Sequence, residues 1–442
     1  MRPIGLNGIR SRDPDKQFDW TLMATQNTRR NMLILVLLSG LIISLCMGLR
    51  QSLGLFMRPM TLDLGISAAT FGFAIALQNM VWGVAQPFVG ALADRYGPRP
   101  VLIGTALIYA SGLLLMAFSK GISGGLQIAG FLAGIGTAGT GFGILIGTVS
   151  RATPPEKRSQ TVGLVAAAGS LGTMVLAPVG QWLIDGFGWQ AALVAFAAVA
   201  ASMALLSLPI REQPVAGGTA PQASAKLGDA LREALAHRGY LYMTLAFFAC
   251  GFQLVFITTH LPAYLQLCGV APGVAASALA LIGLFNSIGT YMFGLLGARY
   301  SQKHLLALIY LLRTLFIVIF LLVPISAAST LVFAAAMGFL WLGVAPLVTG
   351  IIGRVFGLTH FNTLYGIVFF SHQVGSFLGA WMGGLVFDRT GNYNFGWGAL
   401  IVIGLTAFTL QWLMDDRQPP VRKPAGRLEP ALALPWHRFT RS

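Results

Sequence analysis

The chain has 442 residues, of which 55% are hydrophobic and only 10% are charged. Soluble domains carry roughly 25% charged residues, so this composition excludes a water-soluble globular protein. The formal net charge of +15 does not indicate a nucleic-acid-binding protein, because the basic residues lie in short segments between long apolar runs. The three cysteines lack the spacing of metal ligands, and no metal or other cofactor is expected.

Twelve apolar runs follow one another along the chain, each close to the roughly 20 residues that a bilayer-spanning helix requires. They predict an all-α integral membrane protein with twelve transmembrane helices. The predicted spans are 32–57, 67–92, 101–118, 122–148, 160–184, 189–209, 239–264, 274–297, 305–325, 329–353, 361–386 and 396–415.

The basic residues predict the orientation of these spans. Twenty-four of the 29 Lys and Arg residues fall in the two tails or in connections on the same side as the tails. Only Arg58, Lys120 and Arg389 fall in connections on the other side. Because cytoplasmic loops carry this excess of basic residues, both termini are predicted to be cytoplasmic. The excess of Arg over Lys and the abundance of Ala and Gly favour a bacterial inner membrane.

The longest connection separates spans six and seven and is rich in Pro, Gly, Ala and charged residues, which is typical of a linker. It divides the protein into two six-helix halves, and a short surface helix is expected near its end. One chain holds both halves, so a monomer is expected. The predicted parts are an N-terminal tail (1–31), an N-terminal half (32–209), a cytoplasmic linker (210–238), a C-terminal half (239–416) and a C-terminal tail (417–442).

A short charged motif recurs after every third span. It occupies 90–97 after span two, 181–189 after span five and 384–391 after span eleven, and a degraded copy occupies 294–300 after span eight. The repeating unit is therefore three helices, and it occurs four times. Many secondary transporters are built from nested repeats of three helices.

The segment after span two contains Gly90, Asp94, Arg95, Gly97 and Arg99 in the arrangement Gly-xxx-Asp-Arg-x-Gly-x-Arg. It resembles the signature between spans two and three of the major facilitator superfamily, and the resemblance covers the whole chain. The resemblance implies a major facilitator fold in which Asp94 and Arg95 form a cytoplasmic charge-relay latch that holds the outward-open state. A lone acid among basic residues at a helix end agrees with a salt bridge that shifts a two-state equilibrium. The alternative is a static aspartate that caps the loop.

Within this superfamily the chain resembles bacterial relatives of the monocarboxylate transporters. The resemblance rests on 50–59 at the end of span one, 157–169 at the entry to span five and 185–189 after that span. It implies proton-linked transport of monocarboxylates. On span eight, Asn286 and Thr290 stand where that family places an acid and an arginine four residues apart.

Charged residues within the spans are restricted to Arg50 and Arg313, since every Asp and Glu falls in a loop, a tail or a span end. An arginine at the bilayer centre costs about 2.5–3.5 kcal/mol on insertion scales, so each one needs a partner. A carboxylate substrate in a central cavity matches the two-pronged guanidinium group. The alternatives are hydrogen bonds from Arg313 to helix carbonyl groups, and an Arg50 side chain that extends to the outer interface.

Two histidines within the spans are candidates for coupling transport to protons, because histidine titrates near neutral pH. His260 lies just before a proline in span seven, and His372 lies near the middle of span eleven. The alternative for each is an interhelical hydrogen bond. Other polar or aromatic residues at cavity depth either contact the substrate or tie helices together. These candidates are Asn79, Gln253, Asn286, Gln373, Tyr291 and Trp341.

These observations favour a proton-linked symporter of small monocarboxylates or related organic anions that works by alternating access. Its expected partners are the lipid bilayer and a small carboxylate substrate. An exporter or exchanger of drugs or anionic metabolites is one alternative, and a membrane sensor that transports little is another. An enzyme is not expected, because no nucleophile, base and orienting group converge at any depth.

Overall fold

A computed structural model of the chain describes residues 14–210, 227–357 and 361–417, so parts of the predicted tails and linker lie outside the described residues. Within these ranges the chain is almost entirely helical, and most connections are short. A 3₁₀ turn joins α1 to α2, and α8 is the predicted linker helix. The helices are α1 (Pro14–Ser52), α2 (Met57–Leu64), α3 (Ala68–Tyr96), α4 (Pro98–Ala117), α5 (Gly125–Thr140), α6 (Phe142–Ala152), α7 (Pro155–Leu206), α8 (Leu227–Ala236), α9 (Arg238–Leu267), α10 (Pro272–Arg299), α11 (Gln302–Leu322), α12 (Ala327–Leu340), α13 (Val344–Phe356), α14 (Phe361–Thr390) and α15 (Asn394–Leu413).

Ten helical segments of the described chain are long and apolar enough to span a bilayer. One of them, Gly163–Leu206 in α7, has 44 residues and is broken at Gly188, whose φ is 81°, so it holds the predicted spans five and six. The predicted span eleven corresponds to α14, which is not among the ten segments. It has 30 residues, but Ser371, His372 and Gln373 make its middle less apolar. The all-α membrane fold is thus confirmed.

Several helix boundaries differ from the predicted ones by a few residues, and two of the differences bear on the tail and the latch motif. α1 begins at Pro14, so the second part of the predicted N-terminal tail is helical and continuous with span one. α3 continues to Tyr96, beyond the predicted end of span two at residue 92. Asp94 and Arg95 therefore lie in the last turns of a helix and not in a loop.

Spans four and ten are each divided into two helices at equivalent places in the two halves. α5 ends at Thr140 and α6 begins at Phe142, while α12 ends at Leu340 and α13 begins at Val344. A broken helix leaves main-chain polar groups that other parts of the protein must satisfy. Such breaks often lie beside the substrate sites of transporters.

The bundle has a terminal face, formed by the ends of α3, α6, α13 and α15, and a far face, formed by α2, the start of α3 and the end of α14. Two helix pairs join the N-terminal and C-terminal halves, α3 with α14 and α7 with α10. Span one also contacts span seven through the 3₁₀ turn. These contacts form the interface along which the halves can move relative to each other.

The exposure of α3 and α10 changes along their length. Residues 68–79 of α3 are mostly buried, whereas Phe88 and Tyr96 near its other end are exposed. On α10, Asn286 is buried and Tyr291 is exposed. The halves therefore meet at the far face and in the middle of the bundle, and they diverge toward the terminal face.

Close main-chain packing seals the far side of this interface. Gly72 of α3 lies so close to α14 that a methyl group at this position would be 2.5 Å from the carbonyl oxygen of Ala380. The ring of Phe73, the next residue, packs against Trp381 at 5.6 Å between centroids. A larger residue at position 72 would separate the two halves here.

Span four is rich in glycine, and Gly130 shows the consequence. A methyl group at Gly130 would lie 2.2 Å from the main-chain carbonyl oxygen of Ala74 on α3. The absence of a side chain therefore allows α5 to pack directly on α3 within the N-terminal half, and α5 is a core helix of that half.

Gly130→Ala is expected to destabilise the protein by about 1–3 kcal/mol, because the added methyl group forces α3 and α5 apart. Thermal unfolding of the purified protein in detergent measures the effect. Gly104→Ala is the matched control, since a methyl group there meets nothing within 4 Å. Equal melting temperatures for the two variants would contradict the proposed packing constraint.

Candidate functional site

Arg50 lies near the end of α1 and contacts α3 inside the bundle. Its Nη1 donates a hydrogen bond of 3.0 Å to Oδ1 of Asn79, and its guanidinium carbon lies 5.1 Å from the ring centre of Trp82. Asn79 is held in place by a hydrogen bond of 2.8 Å from its Nδ2 to the carbonyl oxygen of Ile75. These contacts exclude the alternative in which Arg50 extends to the outer interface, and they bring two predicted site residues together.

The guanidinium group of Arg50 has unused bonding capacity. Its Nε is buried and has no hydrogen-bond partner among the described residues. The salt bridges of the described chain are formed at helix ends and do not involve Arg50. Because a buried donor without an acceptor costs about 1–3 kcal/mol, the site favours an additional electron-rich partner.

Trp82 connects Arg50 to the C-terminal half. Its Nε1 donates a hydrogen bond of 2.8 Å to Oε1 of Gln86, and its ring meets that of Phe369 on α14 at 5.3 Å. Phe369 stacks in turn on the imidazole of His372, at 5.9 Å between centroids and 6° between planes. The sequence interpretation did not include Trp82 or Phe369. The sequence signal that could have identified each of them is an aromatic residue about one helical turn from an amide side chain within a span.

His372 and Gln373 face this region from α14. Nδ1 of His372 lies 3.2 Å from Oε1 of Gln373. His372 is partly exposed, and the charges of Arg50 and Arg313 both act on it. Gln373 is buried against Gly83 of α3. The central site consists of Arg50, Asn79, Trp82, Phe369, His372 and Gln373.

The predicted role of Arg313 needs correction. Its Nε and Nη2 donate hydrogen bonds of 3.1 and 2.6 Å to the carbonyl oxygen of Leu340, and Nη2 also donates to that of Trp341. These carbonyls lack helical partners because α12 ends at Leu340. Arg313 is fully buried and leaves Nη1 as its donor without a partner in the described chain. It supports the break in span ten, and the Trp341 side chain is likewise buried there.

Asn286 of α10 supports the same break. Its Oδ1 accepts hydrogen bonds from the main-chain N–H of Leu342 at 2.9 Å and from Oγ1 of Thr290 at 3.1 Å. Its Nδ2 donates to Oγ of Ser170 on α7 at 2.8 Å. Asn286 therefore ties span ten to the N-terminal half, as the helix-tying alternative expected, and a substrate contact stays a prediction.

Three further predicted site residues lie outside the central site. Nε2 of His260, which is fully buried, donates a hydrogen bond of 2.7 Å to the carbonyl oxygen of Ala380, and Nε2 of Gln253 donates one of 3.1 Å to that of Leu400. Both bonds join helices within the C-terminal half, as the interhelical alternative for His260 expected. Tyr291 is 68% exposed where the halves diverge, so its role as a cavity wall stays a prediction.

The predicted latch residues lie at the terminal face. Oδ1 of Asp94 is 3.4 Å from Nη1 of Arg151 at the end of α6, and the guanidinium carbon of Arg95 lies 5.2 Å from the ring centre of Tyr96. Gly97, with a φ of 85°, forms the turn between α3 and α4. The Asp94–Arg151 pair lies within the N-terminal half, so the charge relay of the other conformation stays a prediction. The remaining motif residues, Gly90 and Arg99, lie on α3 and α4.

The C-terminal half has a corresponding ion pair on the same face. Nη2 of Arg354, at the end of α13, lies 2.6 Å from Oδ2 of Asp416, which follows α15. Partial burial favours the protonated carboxyl group, but the hydrogen bond and charge of Arg354 outweigh this effect and lower the pKa of Asp416. The carboxylate is therefore ionised at neutral pH and holds α13 to the end of α15.

Asp388 at the end of α14 closes the far face. Its Oδ1 accepts a hydrogen bond of 3.0 Å from the main-chain N–H of Ala68, and its Oδ2 accepts one of 2.7 Å from that of Ala69. These N–H groups begin α3, where they lack intrahelical partners and carry partial positive charge. The sequence interpretation identified 384–391 only as a repeat of the latch motif. The correspondence between Asp388 and Asp94 was the signal for its role.

Asp388→Asn is expected to shift the protein toward a state that is open at the far face, because it removes the charge that binds the start of α3. Hydrogen bonds to charged groups contribute about 1.5–3 kcal/mol, which corresponds to a shift of about 10- to 150-fold. Distances between spin labels at Leu62→Cys and Phe395→Cys, two exposed far-face positions in opposite halves, measure the shift. The labelled protein lacks Cys46, Cys250 and Cys268.

Asp185→Asn is the matched control. Asp185 also lies at the far face, but its Oδ1 accepts a hydrogen bond of 2.8 Å from Gln181 of the same helix. Longer label distances are expected in Asp388→Asn and not in Asp185→Asn. Unchanged distances in both variants would contradict the assignment of Asp388 to the far-face contact.

Comparison with known proteins identifies one family that matches most of the chain. The family described as Major Facilitator Superfamily matches residues 32–379 and 269–442. A bacterial homolog of the human lysosomal transporter Spinster, solved in an inward-facing and unoccupied conformation, has a TM-score of 0.71. It is 17% identical, and the match covers 88% of this chain and 99% of that chain. This structural likeness supports the fold described above.

Two relatives of known name match most of the chain. Monocarboxylate transporter 13 of Rattus norvegicus is 28% identical over 371 residues, which is 82% of this chain and 84% of the relative. The oxalate:formate antiporter of Oxalobacter formigenes is 24% identical over 399 residues, which is 89% of this chain and 93% of the relative. Both matches extend across the two halves of the bundle.

Proposed function

Because this chain belongs to the Major Facilitator Superfamily, we propose that it is a secondary transporter of small monocarboxylates that is coupled to protons. Proteins of this superfamily are multi-pass membrane transporters, so the chain is a transporter and not an enzyme. Their two halves move about a substrate site near the middle of the bilayer. The central site lies in that position, between α1, α3 and α14.

The observation that carries this proposal is the guanidinium group of Arg50. It lies in the bundle interior with an amide and an indole ring as partners, and its buried Nε lacks an acceptor among the described residues. Guanidinium matches carboxylate geometry because two parallel N–H groups bind two oxygens. A positive group without an acidic partner selects anions over cations, which argues against export of cationic drugs.

The names of the relatives support the same substrate class. The rat relative is named a monocarboxylate transporter, and the bacterial relative is named an oxalate:formate antiporter. Oxalate and formate are both carboxylates. The names of both relatives therefore refer to substrates that contain a carboxylate group. Exchange of one carboxylate for another through the central site is the second candidate function, and the antiporter favours it.

Proton coupling is assigned to His372. This imidazole is partly exposed, stacks on Phe369 and lies under the influence of Arg50 and Arg313. A carboxylate bound at Arg50 offsets the positive charge near His372, so carboxylate and proton favour each other's binding. No Asp or Glu of the described chain has this position, and an imidazole is the remaining side chain there that can take up a proton.

The orientation follows from the positive charges of the terminal face. The basic residues near both termini support a cytoplasmic position for this face, and in that orientation the structure is an inward-open state. A bacterial inner membrane and a monomeric transporter complete the proposal. In this state the far-face contacts around Asp388 block access from outside.

Arg50→Ala is expected to weaken carboxylate binding by about 10- to 150-fold, because it removes hydrogen bonds to a charged group. Stabilisation of the purified protein against heating by lactate, pyruvate and acetate measures binding. Arg58→Ala is the matched control, since Arg58 lies on α2 near the far face. Arg313→Ala is expected to lower the melting temperature of the unliganded protein. Unchanged carboxylate binding by a folded Arg50→Ala protein would refute the site.

His372→Gln is expected to abolish accumulation driven by a pH gradient and to retain exchange of carboxylates across the membrane. The glutamine preserves hydrogen bonding in the site but cannot take up a proton at neutral pH. Uptake of radiolabelled substrate into proteoliposomes, with and without a pH gradient, separates the two activities. His260→Gln serves as the comparison, because His260 bonds a carbonyl group outside the central site. Retention of gradient-driven uptake in His372→Gln would assign the proton to another group.

A further inference from the structure

We propose that the central site takes monocarboxylates with a flat aromatic body, an inference that rests on the proposed function and specifies its substrate class. The observation is a series of three rings on one face of α14, the ring ladder of Tyr365, Phe369 and His372. Tyr365 stacks on Phe369 at 6.3 Å and 22°, and Phe369 stacks on His372 at 5.9 Å and 6°. The spacing of four and three residues places all three side chains on the same side of a helix.

The ring ladder lies on the side of the bundle that is open. All three of its residues are partly exposed, and nearer the far face Phe377 of α14 packs on Phe73 of α3 across the interface, at 5.9 Å between centroids. The ladder starts near the terminal face and ends in the middle of the bundle. A solute that enters from the open side therefore passes along ring surfaces before it reaches the central site.

The ring ladder adjoins the guanidinium group of Arg50 through one further ring, that of Trp82. Phe369 meets Trp82 at 5.3 Å, and the guanidinium carbon of Arg50 lies 5.1 Å from the ring centre of Trp82. A carboxylate at Arg50 thus has aromatic surfaces next to it on both α3 and α14. A benzoate-like acid fits this order of groups, because its charged end and its ring are directly joined.

The number of available cations limits the substrate to one carboxylate in this state. Arg313 is fully buried and directs Nε and Nη2 to the carbonyl groups of Leu340 and Trp341. Arg50 is then the interior guanidinium group that adjoins the ladder through Trp82. A dicarboxylate would bury a second negative charge against rings, where desolvation is costly.

An aromatic ring binds another aromatic ring more tightly than a saturated ring of similar size does. Offset-stacked and edge-to-face rings gain about 0.5–1.5 kcal/mol beyond the burial of apolar area, which corresponds to roughly 2- to 13-fold in affinity per pair. Contacts made only for helix packing would give no such preference, since a saturated ring of equal bulk would fit as well. The comparison of benzoate with cyclohexanecarboxylate therefore separates a ligand surface from packing.

The test measures binding of benzoate, cyclohexanecarboxylate and acetate to the full-length protein by thermal stabilisation, with uptake in proteoliposomes as a second readout. Benzoate is expected to bind at least 5-fold more tightly than cyclohexanecarboxylate. Phe369→Leu is expected to reduce this ratio to near one. Tyr365→Leu, expected to reduce the ratio in part, provides a second variant in case Phe369→Leu does not fold.

Phe370→Leu is the matched control, because Phe370 is the next residue of α14 and is 44% exposed. It is expected to retain the preference for benzoate. Equal affinity for the two ring acids, or binding of acetate without either ring acid, would overturn the aromatic substrate class and leave the proposed carboxylate transport intact. Binding of no carboxylate at all would instead overturn the proposed function.

Discussion

A guanidinium group inside a membrane-spanning bundle requires electron-rich partners, and the two interior arginines meet this requirement in different ways. Arg313 is surrounded by main-chain carbonyl groups that a broken helix leaves without partners, so cation and break stabilise each other. Arg50 has only one amide and one indole ring as partners. Each arginine keeps one buried nitrogen without an acceptor in the described chain, but no main-chain carbonyl group is shown to bond Arg50. The same side chain therefore serves as structural support in span nine and as a candidate ligand site in span one.

The break in span ten links the architecture of the C-terminal half to the interface between the halves. Arg313 binds the carbonyl groups on one side of the break, and Asn286 accepts the N–H of Leu342 on the other side. Asn286 also accounts for a contact with Ser170 of the N-terminal half. Asn286 therefore links the interface between the halves directly to the main chain of the break.

The sequence predicted the fold because long apolar runs indicate which segments lie in the bilayer, and basic connections indicate which side they face. Neither signal depends on the details of side-chain packing. The sequence also singled out Arg50 and Arg313, since a charge within a span is conspicuous. It did not decide between the two roles of Arg313, because the partners of this side chain are main-chain carbonyls at a break that hydropathy does not show. His260 faces another helix, and this depends on the rotation of a nearly uniformly apolar helix about its axis. Phe369 was overlooked because aromatic residues are equally common on lipid-facing surfaces.

The far-face contact of Asp388 joins a side chain to main-chain N–H groups, and this has a consequence for how the contact evolves. Every residue except proline supplies the same N–H, so positions 68 and 69 are free to change without loss of the bond. A salt bridge between two side chains produces correlated substitutions at both positions during evolution. This contact does not produce such a correlation, because its second partner is the main chain. The whole constraint rests on the identity of residue 388 and on the exclusion of proline from the first turn of α3.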